Sequence, residues 1–314
     1  MELLIVTYHY IEPENKYKAG IYPISPGQFS SHLDILNETH SFISEEDLVH
    51  GISGEKNIPE KSCLVTFDDG LRSQYENAAP ILKEKEIPAV FFISTQQYTE
   101  KKPAIVHQLH FLLSQIPSKE LLSELEIAYK ELSNQELDWS SIDRKKIIGW
   151  YIYDDEITAT FKFLLNHLLL PSFAQKITKK IFNKFYKDGE DKFCKSLYLL
   201  PNQIDSLKSD PLFSIGLHSH THMDISKFSK EEVVSDFRKN HEILTKNFGI
   251  KNIRGLSYPY GVTDKDGESN KIESVSRALS LFYGLTTEKG INTALSEPLL
   301  LKRFNPNDIL HLKK

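Results

Sequence analysis

The residues able to do acid–base or metal chemistry gather at a few places in this sequence. One is Leu64-Val65-Thr66-Phe67-Asp68-Asp69-Gly70, where a short apolar run ends in adjacent carboxylates and a glycine. The run reads as a buried strand. A charged pair beside a core must find partners. Adjacent side chains leaving a strand point in different directions, so Asp68 and Asp69 can do different jobs, one binding a metal and the other facing a substrate. Gly70 lets the backbone turn sharply or approach a ligand closely. Taken alone, the stretch also fits an ordinary strand followed by an Asp-Asp-Gly turn.

A second place is His218-Ser219-His220-Thr221-His222-Met223-Asp224, which puts three histidines within five residues after the apolar run Phe213–Leu217. His218 and His222 are four apart, so one helical turn or a tight loop sets both on the same side. Neutral imidazoles plus a carboxylate suit zinc or a similar divalent ion. His9 follows the apolar Leu3–Thr7, and Pro259-Tyr260-Gly261 follows Ile253–Tyr258. All these groups stand directly after expected strands, and parallel-sheet proteins place ligands at the carboxyl ends of their strands.

The elements that must position them alternate. Strands are expected at Leu3–Thr7, Cys63–Phe67 and Ala89–Ile93, with helices opened by Ser25-Pro26 and spanning Glu76–Lys85 between them. Such alternation signals a parallel sheet with crossover helices. From about 98 to 195 the pattern changes. Ile105–Ile116, Leu121–Leu132, Ile157–Leu170 and Ala174–Tyr186 each fit an amphipathic helix, which predicts a mostly helical insertion in, or lid on, one α/β domain spanning 1–314. His107, His110 and His167 lie there without convergent spacing and read as ordinary helix residues. The α/β pattern then resumes, with strands expected at Ser196–Leu199, Phe213–Leu217, Ile253–Tyr258, Phe282–Thr286 and Leu299–Phe304. Helices are expected at Asn202–Leu207, from Ser229 to Phe248, and at Ile272–Leu279.

Of the 314 residues, 40% are hydrophobic and 26% charged, the balance of a globular chain. A net charge of −5 offers no electrostatic footprint for nucleic acid. Two cysteines, Cys63 and Cys194, make no disulfide framework. The opening MELLIVTYHY lacks a basic region and reads as a strand rather than a signal peptide, which points to the cytoplasm. With no run of roughly 18 apolar residues, no membrane span is expected.

TFDDG, HSHTH and SYPYG, in that order and each at a strand end, resemble the motifs of the polysaccharide deacetylase family, also called NodB-homology proteins or family 4 carbohydrate esterases. The resemblance covers the chain apart from the helical stretch. It implies a distorted (β/α) barrel and metal-dependent removal of an N-acyl group, acetyl first among them, from an amino sugar or glycan. It further implies Asp68 as general base, with Asp69, His218 and His222 holding one divalent ion, zinc being the expected one. The Tyr260 backbone N–H would donate to the oxyanion, and Tyr258 and Pro259 would contact substrate. Ser219 matches a position that steadies the loop, and His220 a variable one. Many members carry an arginine in the third motif, as in R-P-P-Y-G. Ser257-Tyr258-Pro259-Tyr260-Gly261 has none, and Arg303 on the last expected strand is the candidate to orient Asp68 or meet substrate. For the general acid, Ile309-Leu310-His311 fits the family's closing motif only superficially. Val6-Thr7-Tyr8-His9 fits members with that strand permuted to the front, so His9 is the expected acid. Two alternatives are a non-catalytic sugar-binding protein on the same barrel and a PHP-type metal phosphoesterase, whose first motif H-x-H-T-H resembles. The latter needs later histidine motifs, and only His241 and His311 follow His222.

Overall fold

The computed structural model describes residues 2–17, 20–139, 147–149, 151, 154–262 and 269–309. Contacts divide the chain into two compact units. The first comprises Met1–Pro13, Pro23–Lys101 and Cys194–Lys314; the second comprises Glu14–Tyr22 and Lys102–Phe193.

The first unit is an α/β structure built on a curled parallel sheet, a distorted (β/α) barrel. Its elements in chain order are β1 (Glu2–Tyr8), α1 (Pro26–Asn37), β2 (Ser41–Phe42), α2 (Glu45–Ser53), β3 (Lys61–Phe67), α3 (Ala79–Glu84), β4 (Ala89–Ile93) and α4 (Gln96–Thr99). The sheet runs β1-β3-β4 and continues through β5 (Phe213–Leu217), β6 (Gly255–Ser257) and β7 (Tyr283–Leu285), with β2 alongside β3. Every pairing is parallel. β1, β3 and β4 are buried almost end to end, as strands covered on both faces must be.

Period-two alternation sorts the side chains into two layers. Leu4, Val6, Tyr8, Val65, Phe67 and Phe91 join the outer core beneath the helices, where Phe67 stacks on Phe91 with ring centroids 4.8 Å apart. Leu3, Ile5, Leu64, Val90, Phe92, Tyr283, Leu285 and Leu301 fill a separate inner cluster. Continuing that inner parity toward the carboxyl ends brings up Thr7 and His9, Asp68, His218, Ser257 and Arg303. The apolar layer is thus a floor and the polar residues stand at the mouth.

Several expectations are revised. Ser196–Leu199 is not a strand: a helix covers Glu190–Leu197, and Tyr198 alone bridges Leu71. Leu299–Phe304 is not one regular strand either. Pro298–Leu300 forms a 3₁₀ turn, Leu301 bridges β7 at Leu285, and Phe304 bridges β1 at Val6. Each end of the segment pairs with a different sheet edge, and this closes the barrel across Arg303. The helix expected over Glu76–Lys85 opens with a π turn, Gln74–Ala78. Pro80 has no N–H to give the Glu76 carbonyl, so the ladder is interrupted there. α2 was not expected, although Ser44 and Asp47 form a capping box in the sequence, with Ser44 Oγ accepting from the Asp47 N–H at 3.1 Å.

The second unit is helical: Ile105–Gln115, Ser118–Ser133, Glu156–Phe163 and Pro171–Phe185. Phe111, Phe182, Tyr186 and Phe193 form an aromatic cluster with centroids 5.0–5.6 Å apart. No described helix is long and apolar enough to cross a membrane.

Glu45, at the start of α2, is 3% exposed and accepts from the Tyr283 hydroxyl at 2.6 Å. Burial pushes its carboxyl up to about 7, although Tyr283 and Arg254 oppose the shift. A raised acid value gives stability that is complete below the unfolded value near 4.5 and lost as pH rises through 7. Relative to wild type, Glu45→Gln is therefore expected to gain up to ~3 kcal/mol between pH 4 and 8. Urea unfolding at the two pH values reads this, and a difference that stays constant refutes it.

Candidate active site

Strand register brings the chemistry together. Tyr8 pairs with Phe67 across β1 and β3, so the next residues, His9 and Asp68, leave neighbouring strands side by side. Leu217 pairs with Leu256 across β5 and β6, which sets His218 beside Ser257. Tyr8 and Tyr10 are buried in the wall while His9 is exposed, its Nε2 4.0 Å from Asp68 Oδ2.

Asp68 is 2% exposed. Arg303 Nη1 lies 3.0 Å from its Oδ1 and 2.8 Å from its Oδ2, and Ser257 Oγ donates to Oδ2 at 2.9 Å. The same Nη1 donates to Thr7 Oγ1 at 3.0 Å, and Arg303 Nε donates to the Thr286 carbonyl at 2.7 Å. Burial pushes the Asp68 carboxyl up, but Arg303, then His218 and His9, outweigh it and hold the group below the usual carboxylate range. Asp68 therefore stays ionised and able to accept a proton.

Asp69 turns the other way. Its Oδ1 is 3.2 Å from His218 Nε2 and 3.1 Å from His222 Nε2. The three residues offer donor atoms all within 4.8 Å of one another, the one such cluster of three or more among the described residues. His218 Nδ1 donates to the Ser257 carbonyl at 2.9 Å, so in the neutral ring the lone pair sits on Nε2, aimed at the cluster. Ligand atoms about 2.0–2.1 Å from a tetrahedral zinc lie roughly 3.3–3.4 Å from each other. The two separations from Asp69 fall within a few tenths of an ångström of that, and the two imidazole donors lie within 4.8 Å of each other, so one carboxylate and two imidazoles can gather around a divalent ion. Burial pulls His218 down, yet the Asp68 and Asp69 carboxylates raise it above the ordinary histidine value. That negative field also favours a cation.

The loops reach this arrangement through unusual backbone. Asp69, Ser219, His222 and Tyr260, at φ of 77°, 60°, 56° and 63°, are four of the eight described non-glycine residues with positive φ. Such conformations persist where surroundings over-determine them, and they cluster at functional sites. Gly70 (φ 67°) follows Asp69, and a Cβ there would sit 2.9 Å from Ile93 Cγ2.

Tyr260 is 54% exposed, and its ring meets that of His222 edge-on at 5.1 Å. The structure corrects the substrate-contact expectation for Tyr258. Its ring is 1% exposed and its hydroxyl donates to the Leu299 carbonyl at 3.1 Å, so it packs in the core. Pro259 is buried beside it. Arg303 is likewise buried, and its described hydrogen bonds go to Asp68, Thr7 and Thr286. His311 lies outside the described residues.

Sequence reasoning assigned no role to Ser257, which touches both Asp68 and His218, nor to Asp236 and Asn240 of the helix Lys230–Lys246. Asp236 accepts from Ser219 Oγ, the His220 N–H, the Thr221 N–H and Thr221 Oγ1 at 2.6–3.2 Å. Asn240 Oδ1 accepts from the His218 N–H at 3.0 Å. Both lie on the buried face, in line with Val233, Phe237 and Leu244. A polar residue at a core position of an amphipathic helix was the available signal.

A family model described as polysaccharide deacetylase matches residues 55–111 and 156–273, more than half of the chain. The chain belongs to the polysaccharide deacetylase family. The matched segments include Asp68, Asp69, His218, His222 and Tyr260, and leave out His9 and Arg303. Among curated proteins, this deacetylase-family chain is similar to the poly-beta-1,6-N-acetyl-D-glucosamine N-deacetylase of Staphylococcus aureus strain MSSA476. They are 23% identical over 288 residues, covering 91% of this chain and 69% of the relative. Among solved structures, the fold is similar to the Streptococcus pyogenes deacetylase PplD in complex with acetate (TM-score 0.57, 17% identity, 100% of this chain and 99% of that one). It is also similar to IcaB from Ammonifex degensii (TM-score 0.58, 18% identity, 99% and 95%).

Removing one partner of a buried ion pair leaves an uncompensated charge and typically costs about 3–5 kcal/mol. Arg303→Met is expected to lose stability of that order in urea unfolding, and adding Asp68→Asn should recover part of it. A single variant as stable as wild type would show that Asp68 does not depend on Arg303.

Proposed function

We propose that this protein is a metal-dependent deacetylase that removes the N-acetyl group from an amino-sugar glycan. The observation that carries the reading is the convergence of Asp69, His218 and His222 beside an ionised, buried Asp68. Family membership supports amide hydrolysis on a sugar, and the named staphylococcal relative supports a polymer of N-acetylglucosamine as the first substrate to try. The PHP-type reading gains no support, since one three-residue cluster is present among the described residues. We extend the reading to domain organisation: one deacetylase domain, interrupted by the helical stretch.

Asp69, His218 and His222 would hold the ion, zinc first among candidates, and leave a coordination position open. The chemistry a divalent ion supplies there when bound is Lewis acidity, which polarises the amide carbonyl and lowers the pKa of the attacking water toward about 7. Asp68 takes the water proton, and Arg303 and Ser257 hold its carboxylate in line. The Tyr260 N–H donates to the developing oxyanion from a turn whose φ of 63° is far from ordinary extended backbone. The half-exposed Tyr260 ring offers an apolar face to the sugar. His9, protonated, stands on the open side of Asp68 and gives its proton to the leaving amine. Water adds across the C–N bond, and acetate and free amine leave.

The test is amine release from N-acetylglucosamine oligomers, with and without chelator. Asp69→Ala should lose stoichiometric metal and activity while the fold survives, and metal retained by elemental analysis would break the ligand assignment. Asp68→Asn should keep metal and lose most of kcat, about 10²–10⁴-fold. Turnover close to wild type would remove Asp68 as base, whereas a wild-type chain that releases no amine from these substrates would leave a binding protein as the better reading.

His9→Ala should lower kcat on an amide far more than on an activated aryl ester, whose leaving group needs little protonation. Equal losses on the two substrates would remove His9 as the acid.

A further inference from the structure

His220 stands between two of the proposed metal ligands, yet its side chain faces away from them. It is 2% exposed. Its Nε2 lies 3.1 Å from Glu100 Oε1, a carboxylate that can only accept, so Nε2 carries the hydrogen. Its Nδ1 then accepts from Thr95 Oγ1 at 2.9 Å. Thr95 Oγ1 in turn accepts from Asn240 Nδ2 at 3.1 Å, and Asn240 Oδ1 accepts from the backbone N–H of His218 at 3.0 Å. On the far side, Lys239 Nζ meets the same Glu100 oxygen at 2.7 Å. Every donor in this ring of contacts has an acceptor, and the ring begins and ends on the loop that carries His218 and His222. The backbone agrees: the His220 carbonyl accepts from the Gln96 N–H at 2.9 Å, at the start of α4.

The loop itself holds positive φ at Ser219 and His222, on either side of His220. Such conformations are costly for residues with a side chain and need surroundings that enforce them. Asp236 grips the loop from one helix, but through Ser219, Thr221 and the His220 backbone. The His220 ring is the side-chain anchor to a second element, β4 and its exit.

We infer that His220 is a positioning residue: with Glu100, Thr95 and Lys239 it fixes the loop so that His218 and His222 present their Nε2 atoms to one ion. The inference rests on the metal reading above and adds a residue that touches neither metal nor substrate. Outer partners that orient metal ligands typically contribute 10–100-fold in metal affinity.

The test uses the full chain stripped of metal, with zinc affinity read by competition against a chromophoric chelator and the metal-free Tm read by calorimetry. His220→Ala should weaken zinc binding by ~10–100-fold, and saturating zinc should restore most of kcat. His220→Gln keeps an amide N–H for Glu100 and should recover most of the lost affinity. Should His220→Ala fail to fold, Glu100→Ala, at a partly exposed position, decides the matter by the same readout and should also weaken zinc binding. A lowered Tm with wild-type zinc affinity in these variants would make His220 a packing residue and overturn the inference. A wild-type chain that takes up no zinc would overturn the metal reading, and this inference with it.

Discussion

Two adjacent carboxylates in the mouth of a parallel barrel must each find positive charge or hydrogen bonds, and much of this structure answers that constraint. A lone ionised carboxylate removed from water is too costly to persist. Asp68 is satisfied by Arg303 and Ser257. Asp69 meets two imidazole nitrogens in a geometry that suits a divalent ion. The split follows from backbone direction. Asp68 continues the inner face of β3, while Asp69, at φ 77°, turns away from it.

The guanidinium that serves Asp68 does not come from the third motif, where Ser257 stands. It comes from the far end of the chain. The closing segment bridges β7 through Leu301 and β1 through Phe304, and Arg303 between them points inward. Barrel closure and the ionisation of Asp68 are therefore linked in one residue. Ser257 contributes its hydroxyl to Asp68 and its carbonyl to His218, so a single position couples the proposed base to a proposed ligand.

Around this centre, stability is spent on holding strained loops. Four left-handed residues sit at the site, a backbone conformation that persists only where the surroundings hold it. Asp236 alone accepts four hydrogen bonds from Ser219, His220 and Thr221. The barrel floor of Leu3, Ile5, Leu64, Val90 and Phe92 supplies the rigid base on which these loops stand.

The sequence by itself determined the parallel strands, because β-rich apolar runs separated by helical periodicity have few other solutions. It also determined which groups stand at strand ends, because TFDDG, HSHTH and SYPYG each follow an apolar run, and it determined the family. The short range of those signals explains their legibility: each lies within one strand and its exit. What only the tertiary structure decided is long-range. Nothing local distinguishes His220 from its neighbours, since all three histidines occupy the same loop, and only the packing of Thr95 and Glu100 turns it away. Nothing local ties Arg303 to Asp68 across 235 positions, or reveals that Tyr258 is core. The last segment, apolar enough to suggest a regular strand, is not one because its two ends pair with different edges, a choice that exists only once the sheet has curled.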